Sequence, residues 1–145
     1  MRVVLDSNIW VSSLLSPRGS PGTVIQAALE GRFEVFMSDR LWNEVLTAVS
    51  RDRVRGPLIA KGRWADTERV LLALRGQVTF VEASPPVGNW IPHDPADNWV
   101  IQCALTANAE RIVTGDRKLL DVHSIESVTI LGARQFLIEI GIAAS

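Results

Sequence analysis

The sequence predicts an α/β fold of three layers, with a mainly parallel central sheet of about five strands flanked by helices. Short β-type runs alternate with longer helical patterns along the whole chain. The first run, Val3-Val4-Leu5, is apolar at successive positions, as in a strand covered on both faces. Strands separated by helices in this way imply right-handed crossovers and parallel pairing.

The β-type runs are Arg2 to Leu5, Phe33 to Met37, Val78 to Val81, Arg111 to Val113 and Val128 to Leu131. Helical periodicity covers Asn8 to Leu15, Thr23 to Leu29, Leu41 to Val49, a stretch ending at Leu74, Pro95 to Asn108, and Ala133 to Ile140. Ser38 is placed to cap the third helix, whose apolar Leu41, Trp42, Val45, Leu46 and Val49 form its expected buried face. Two stretches cannot continue either kind of element: Ser16 to Gly22, rich in Ser, Pro and Gly, and Ala83 to Pro92, with three prolines. The segment from Arg51 to Gly62 has too loose a pattern to place a substrate groove.

At 145 residues and 47% hydrophobic side chains, the chain suits one core, and residues 1–145 are read as a single domain. No apolar run approaches the roughly 20 residues of a membrane span. Asp6, Ser7 and Asn8 interrupt the apolar N-terminus where a signal peptide would be continuous, so Met1 is read as the start of the mature chain. The single Cys103 sits among Val100, Ile101, Ala104 and Leu105, an expected buried helix face, and a reducing cytoplasm fits. A net charge of −1 gives no global pull on nucleic acid. From Arg51 to Arg75, however, seven cations face three anions. Arg51, Arg53, Arg55, Lys61 and Arg63 are therefore candidates for contact with nucleic acid, with an ordinary solvated helical hairpin as the other reading. Trp64 in that segment serves either as a stacking platform or as a core anchor.

In open parallel sheets the ligand site lies beyond the carboxyl ends of the strands, and acids recur there. Asp6 follows Val3-Val4-Leu5 directly, and Asp116 follows Ile112-Val113-Thr114-Gly115, where glycine allows a turn without a Cβ. Each is either a site carboxylate or a helix cap. Glu44 borders the buried face of its helix. In His93-Asp94-Pro95-Ala96-Asp97-Asn98, Asp94 reads as the N-cap and Pro95 as the first helical residue. Asp97 in the first turn is favoured there by the helix dipole and can also face the crevice of Asp6 and Asp116. His93 reads as a loop side chain, because hard divalent cations prefer oxygen.

Four clustered carboxylates repel one another unless a cation neutralises them. Mg²⁺ or Mn²⁺ suits such an oxygen site and supports phosphodiester hydrolysis without a Ser, Cys or His nucleophile.

The ordered set Val4-Leu5-Asp6-Ser7-Asn8, Ser38 with Glu44, Asp94-Pro95-Ala96-Asp97-Asn98, and Ile112-Val113-Thr114-Gly115-Asp116 followed by Lys118-Leu119-Leu120 resembles the PIN-domain nucleases, most of all their bacterial toxin branch. The resemblance implies a PIN-like fold in which Asp6, Glu44, Asp97 and Asp116 bind Mg²⁺ or Mn²⁺ and carry catalysis, while Ser7, Asn8 and Thr114 shape the site. It further implies cleavage of single-stranded RNA, homodimerisation, and inhibition by a cognate antitoxin protein. The alternatives are a non-catalytic PIN-like module that binds RNA or protein and, further off, an enzyme phosphorylated on Asp6. Trp90 and Trp99, near Asp97, are open between narrowing the site, stacking on a base and packing the core.

Overall fold

The computed structural model describes residues 1–92 and 94–143; the reading of His93 falls outside them. The elements run β1 (Arg2–Leu5), α1 (Ser7–Leu15), α2 (Ser20–Leu29), β2 (Glu34–Met37), α3 (Asp39–Ser50), α4 (Asp52–Ala60), α5 (Trp64–Arg75), β3 (Thr79–Phe80), α6 (Pro95–Thr106), β4 (Arg111–Val113), α7 (Arg117–Val122), β5 (Ser124–Ile125), β6 (Val128–Leu131) and α8 (Ala133–Glu139). The strands form one sheet in the order β3-β2-β1-β4-β6-β5. Every pairing is parallel except β5 with β6.

The apolar run of β1 explains its place near the middle of the sheet. Val3, Val4 and Leu5 are fully buried, with β2 on one side and β4 on the other. Helix α6 lies across β1, β2 and β4, while α1 packs on α2 and α3, and α2 on α8. Phe33 and Phe136 meet edge to face, 5.0 Å between ring centres, which ties the approach to β2 to α8. Cys103 is fully buried on α6, as its apolar neighbours require. Among the described residues no helix is long and apolar enough to cross a membrane.

The sheet has a sixth strand beyond the expected number. His123 and Glu126 both adopt positive φ, and Ile125 pairs with Val128 across a two-residue turn at Glu126-Ser127. Such turns usually announce themselves with Asn or Gly, and here neither is present. The segment from Arg51 to Gly62 contains α4, a short helix that buries Val54 and Leu58, one turn apart, and exposes the residues between. Gly56 and Pro57 inside it blur the helical signal. Helix α2 starts at Ser20, earlier than periodicity predicts, because proline is tolerated in a first turn and Gly22 is needed there. A Cβ on Gly22 would stand 2.0 Å from the Pro17 carbonyl oxygen. Leu46 departs from the expected buried face of α3 and is 42% exposed.

The sheet order reverses direction at β1 and β4: β2 and β3 extend to one side, β6 and β5 to the other. The crossovers therefore leave on opposite sides of this point, and a crevice opens beyond the carboxyl ends of β1 and β4.

Candidate functional site

Asp6 and Thr114 sit at the two strand ends that border this crevice. Asp6 is 4% exposed, and its backbone N–H donates to Val113 of β4 at 2.9 Å. It is the N-cap of α1: Oδ1 accepts from the Ser7 N–H at 2.8 Å. Oδ2 accepts from the Thr114 hydroxyl at 2.7 Å and from Asn8 Nδ2 at 3.1 Å. The two readings of Asp6, cap and crevice carboxylate, describe one side chain doing both.

Thr114 is the joint between the strands. Fully buried, it donates to Asp6, and its oxygen accepts from the Asp116 backbone N–H at 3.0 Å. Asn8 Oδ1 in turn accepts from the Gly115 N–H at 2.9 Å, so the loop after β4 is held to the start of α1. Gly115 itself is not demanded by the backbone: its φ is not positive, and an added Cβ would make ordinary contact with Asn8 at 3.6 Å. Asp116 caps α7, accepting from the Lys118 N–H at 2.9 Å.

Asp97 lies in the first turn of α6, with Asp94 capping that helix and Pro95 in its first turn. One carboxylate oxygen each from Asp94, Asp97 and Asp116 falls within 4.8 Å of the others, and among the described residues this is the group spaced to share a cation. Asp97 Oδ2 is buried without any hydrogen-bond partner. An unpaired buried carboxylate oxygen is costly and calls for a cation or a proton. Burial, a hydrogen bond from its protonated form to Asp116, and the charges of Asp116, Asp94 and Asp6 push Asp97 up to about 8.

Asp6 is also raised from the ordinary carboxylate range, chiefly by burial, against the opposing hydrogen bonds from Thr114, Ser7 and Asn8. Glu44 is half-buried on α3 and stands outside the three-acid group. Burial and the negative charges of Asp6 and Asp94 push it up to about 7, against the pull of Arg40. All four expected carboxylates thus meet in one electrostatic neighbourhood, with Asp97 and Asp116 in ligand range of each other and Asp6 and Glu44 felt from its walls.

Two residues join the site without having been singled out for it. Asp94, read from sequence only as a cap, does cap Asp97, with its Oδ1 accepting from the Asp97 N–H at 3.3 Å, and also faces Asp116. Lys118 donates its ammonium to Asp94 Oδ2, and this bond holds Asp94 below the usual carboxylate range. A spacing clue exists for both: Asp94 lies one helical turn before Asp97, and Lys118 two residues after Asp116.

The candidate RNA-contacting cations are dispersed. Arg63 donates to the Leu14 carbonyl at 2.9 Å, closing the end of α1, and Arg55 lies over the Trp64 ring at 4.9 Å. Arg53 and Lys61 are exposed on and after α4. Arg51 lines a groove that also contains Glu44 and Ser7. Trp99 carries Arg40 over its ring at 4.4 Å, and Trp90 packs partly buried against the core.

A family model described as PIN domain matches residues 2–118. An uncharacterized protein of Methanocaldococcus jannaschii is 25% identical over 124 residues, covering 85% of this chain and 76% of that protein. No solved structure matches the chain significantly. The family match takes in both strand-end acids, Glu44 and the start of α6, and the sheet order and crevice agree with it: the chain belongs to the PIN-domain family.

Proposed function

We propose that the chain is a Mg²⁺- or Mn²⁺-dependent endoribonuclease that hydrolyses phosphodiester bonds of single-stranded RNA. The observation that carries this reading is Asp97, whose Oδ2 is buried and unpartnered and whose carboxylate lies in ligand range of two others. The all-oxygen donor set fits a hard divalent cation. Asp97 and Asp116 would hold it, with Asp6 and Glu44 completing the acidic pocket. When bound, such a cation polarises a phosphodiester and lowers the pKa of water.

The residues of the chain supply the rest. Thr114, Ser7 and Asn8 lock the Asp6 carboxylate in one orientation, and Thr114 sets the Asp116 backbone at the same time. Lys118 neutralises Asp94, so the pocket carries less repulsion toward a phosphate than its carboxylates alone would impose. An aspartyl-phosphate mechanism is disfavoured because both Asp6 oxygens are engaged and the side chain is buried. The motif likeness to the toxin branch extends the proposal: a cytoplasmic toxin, acting as a homodimer and restrained by a cognate antitoxin.

The test is cleavage of a mixed single-stranded RNA pool by folded wild type and folded Asp6→Asn, with Mg²⁺, with Mn²⁺ and with EDTA. Metal-dependent cleavage confined to wild type supports the proposal. Binding of RNA without cleavage under any metal would move the non-catalytic module ahead, and equal cleavage by both proteins would remove Asp6 from the chemistry.

A further inference from the structure

Helix α3 turns two different faces outward and inward. Leu41, Trp42, Val45 and Val49 are buried. Arg40, Glu44, Thr47 and Arg51, spaced three or four apart, line a groove of about 430 Å³. Its other wall is Ser7 and Ala96, the immediate neighbours of Asp6 and Asp97, so the groove opens onto the acidic crevice.

We infer that this groove is the track for the RNA phosphates, with Arg40 and Arg51 as the residues that bind them on the approach to the crevice. The inference rests on the proposed function only in taking single-stranded RNA as the substrate. Eleven residues of rise separate the two arginines, about 16 Å along the helix. At about 3.4 Å per stacked nucleotide that distance spans several phosphates.

Both side chains are exposed, and neither is in an ion pair among the described residues. Arg40 rests over the Trp99 ring, which holds its stem in place while its N–H groups stay available, the arrangement that suits a planar guanidinium to phosphate. The hollow on the opposite flank of the crevice, about 860 Å³ and bordered by Ile9, Leu120, Ala133 and Ile138, is mostly apolar with Arg134 as its one cation. Charge therefore places the phosphates along α3. The sequence pointed to the whole basic stretch from Arg51, yet Arg63 is spent on a helix end, only Arg51 of that set lines the groove, and Arg40 lies outside the stretch.

The test is fluorescence anisotropy with a labelled, mixed-sequence single-stranded RNA in EDTA, across a salt series, for wild type, Arg40→Gln, Arg51→Gln and Arg32→Gln. Arg32 is an exposed cation just before the amino end of β2, at the opposite edge of the sheet, and controls for removal of one charge. Unchanged melting temperatures certify folding. Each groove variant is expected to bind several-fold more weakly, with the log–log salt slope shallower by about 0.7 for each phosphate that is no longer neutralised. Arg32→Gln is expected to follow wild type. If all three variants bind alike, the groove inference fails even where wild type cleaves RNA with metal. If the groove variants bind RNA more weakly while no protein cleaves, the groove stands and the nuclease reading falls.

Discussion

Replacing Asp97 by Asn in the metal-free protein should flatten the pH dependence of its stability. Asp97 is carried from an ordinary 3.8 to about 8 in the folded state. A group whose folded pKa is raised contributes fully below its unfolded pKa and loses that contribution as pH rises through the folded value. The window therefore runs from about pH 4 to about pH 8. At about 1.4 kcal/mol per pH unit the full effect would be ~6 kcal/mol. Solvent screening through the partly exposed Asp94 and Asp116 reduces it to on the order of 2 kcal/mol.

Thermal denaturation by circular dichroism in EDTA reads this directly. From pH 4 to pH 8 wild type should lose about 4–8 °C more than Asp97→Asn, since a chain of this size shifts by a few degrees per kcal/mol. Glu44, raised to about 7, adds to the wild-type slope with the same sign and persists in the variant. Parallel curves for the two proteins would refute the claim that an unneutralised Asp97 strains the metal-free fold.

Other outcomes follow from individual side chains. Thr114→Val keeps the shape but removes the hydroxyl that donates to Asp6 and accepts from Asp116; it should cost about 1–3 kcal/mol in denaturant melts and lower cleavage, with Thr114→Ser close to wild type. Gly22→Ala should destabilise by about 1–3 kcal/mol, because its Cβ would meet the Pro17 carbonyl. Gly56→Ala, with open space around the new methyl in helix α4, should be neutral or stabilising by about 0.5–1 kcal/mol. Leu58→Ala, at 1% exposure, should cost about 2–5 kcal/mol if α4 is docked as described.

The parts of the fold written in local pattern were legible from the residues alone. The all-apolar Val3-Val4-Leu5 specified a central strand, and Ser38 and Asp94 cap α3 and α6 as their positions suggest. Strand β6 was legible at Val128 to Leu131, but its edge partner β5 was not, because the turn between them rests on Glu126 at positive φ with no glycine or asparagine to mark it. Helix α4 was obscured by Gly56 and Pro57, whose propensities oppose the helix that burial of Val54 and Leu58 stabilises.

The strand-end logic placed Asp6 and Asp116 beyond β1 and β4, since the sheet order alone dictates where those strands end, with Asp97 approaching Asp116 from the first turn of α6. It could not assign Asp94 a role beyond its cap, nor find Lys118 opposite it, because that pairing joins α6 to α7 across 24 residues of sequence. Arg40 was missed for a similar reason: its partner Trp99 lies on another helix, and nothing local to α3 marks it.

The proposed divalent-cation site in the carboxylate crevice has Asp97 as its buried ligand. Electron paramagnetic resonance of Mn²⁺ titrated into metal-free wild type and Asp97→Asn, both at pH 8, addresses it most directly. Saturable loss of the free-Mn²⁺ signal with wild type, strongly weakened in Asp97→Asn, is the expected result. Equal Mn²⁺ uptake by the two proteins, or none by either, would contradict it.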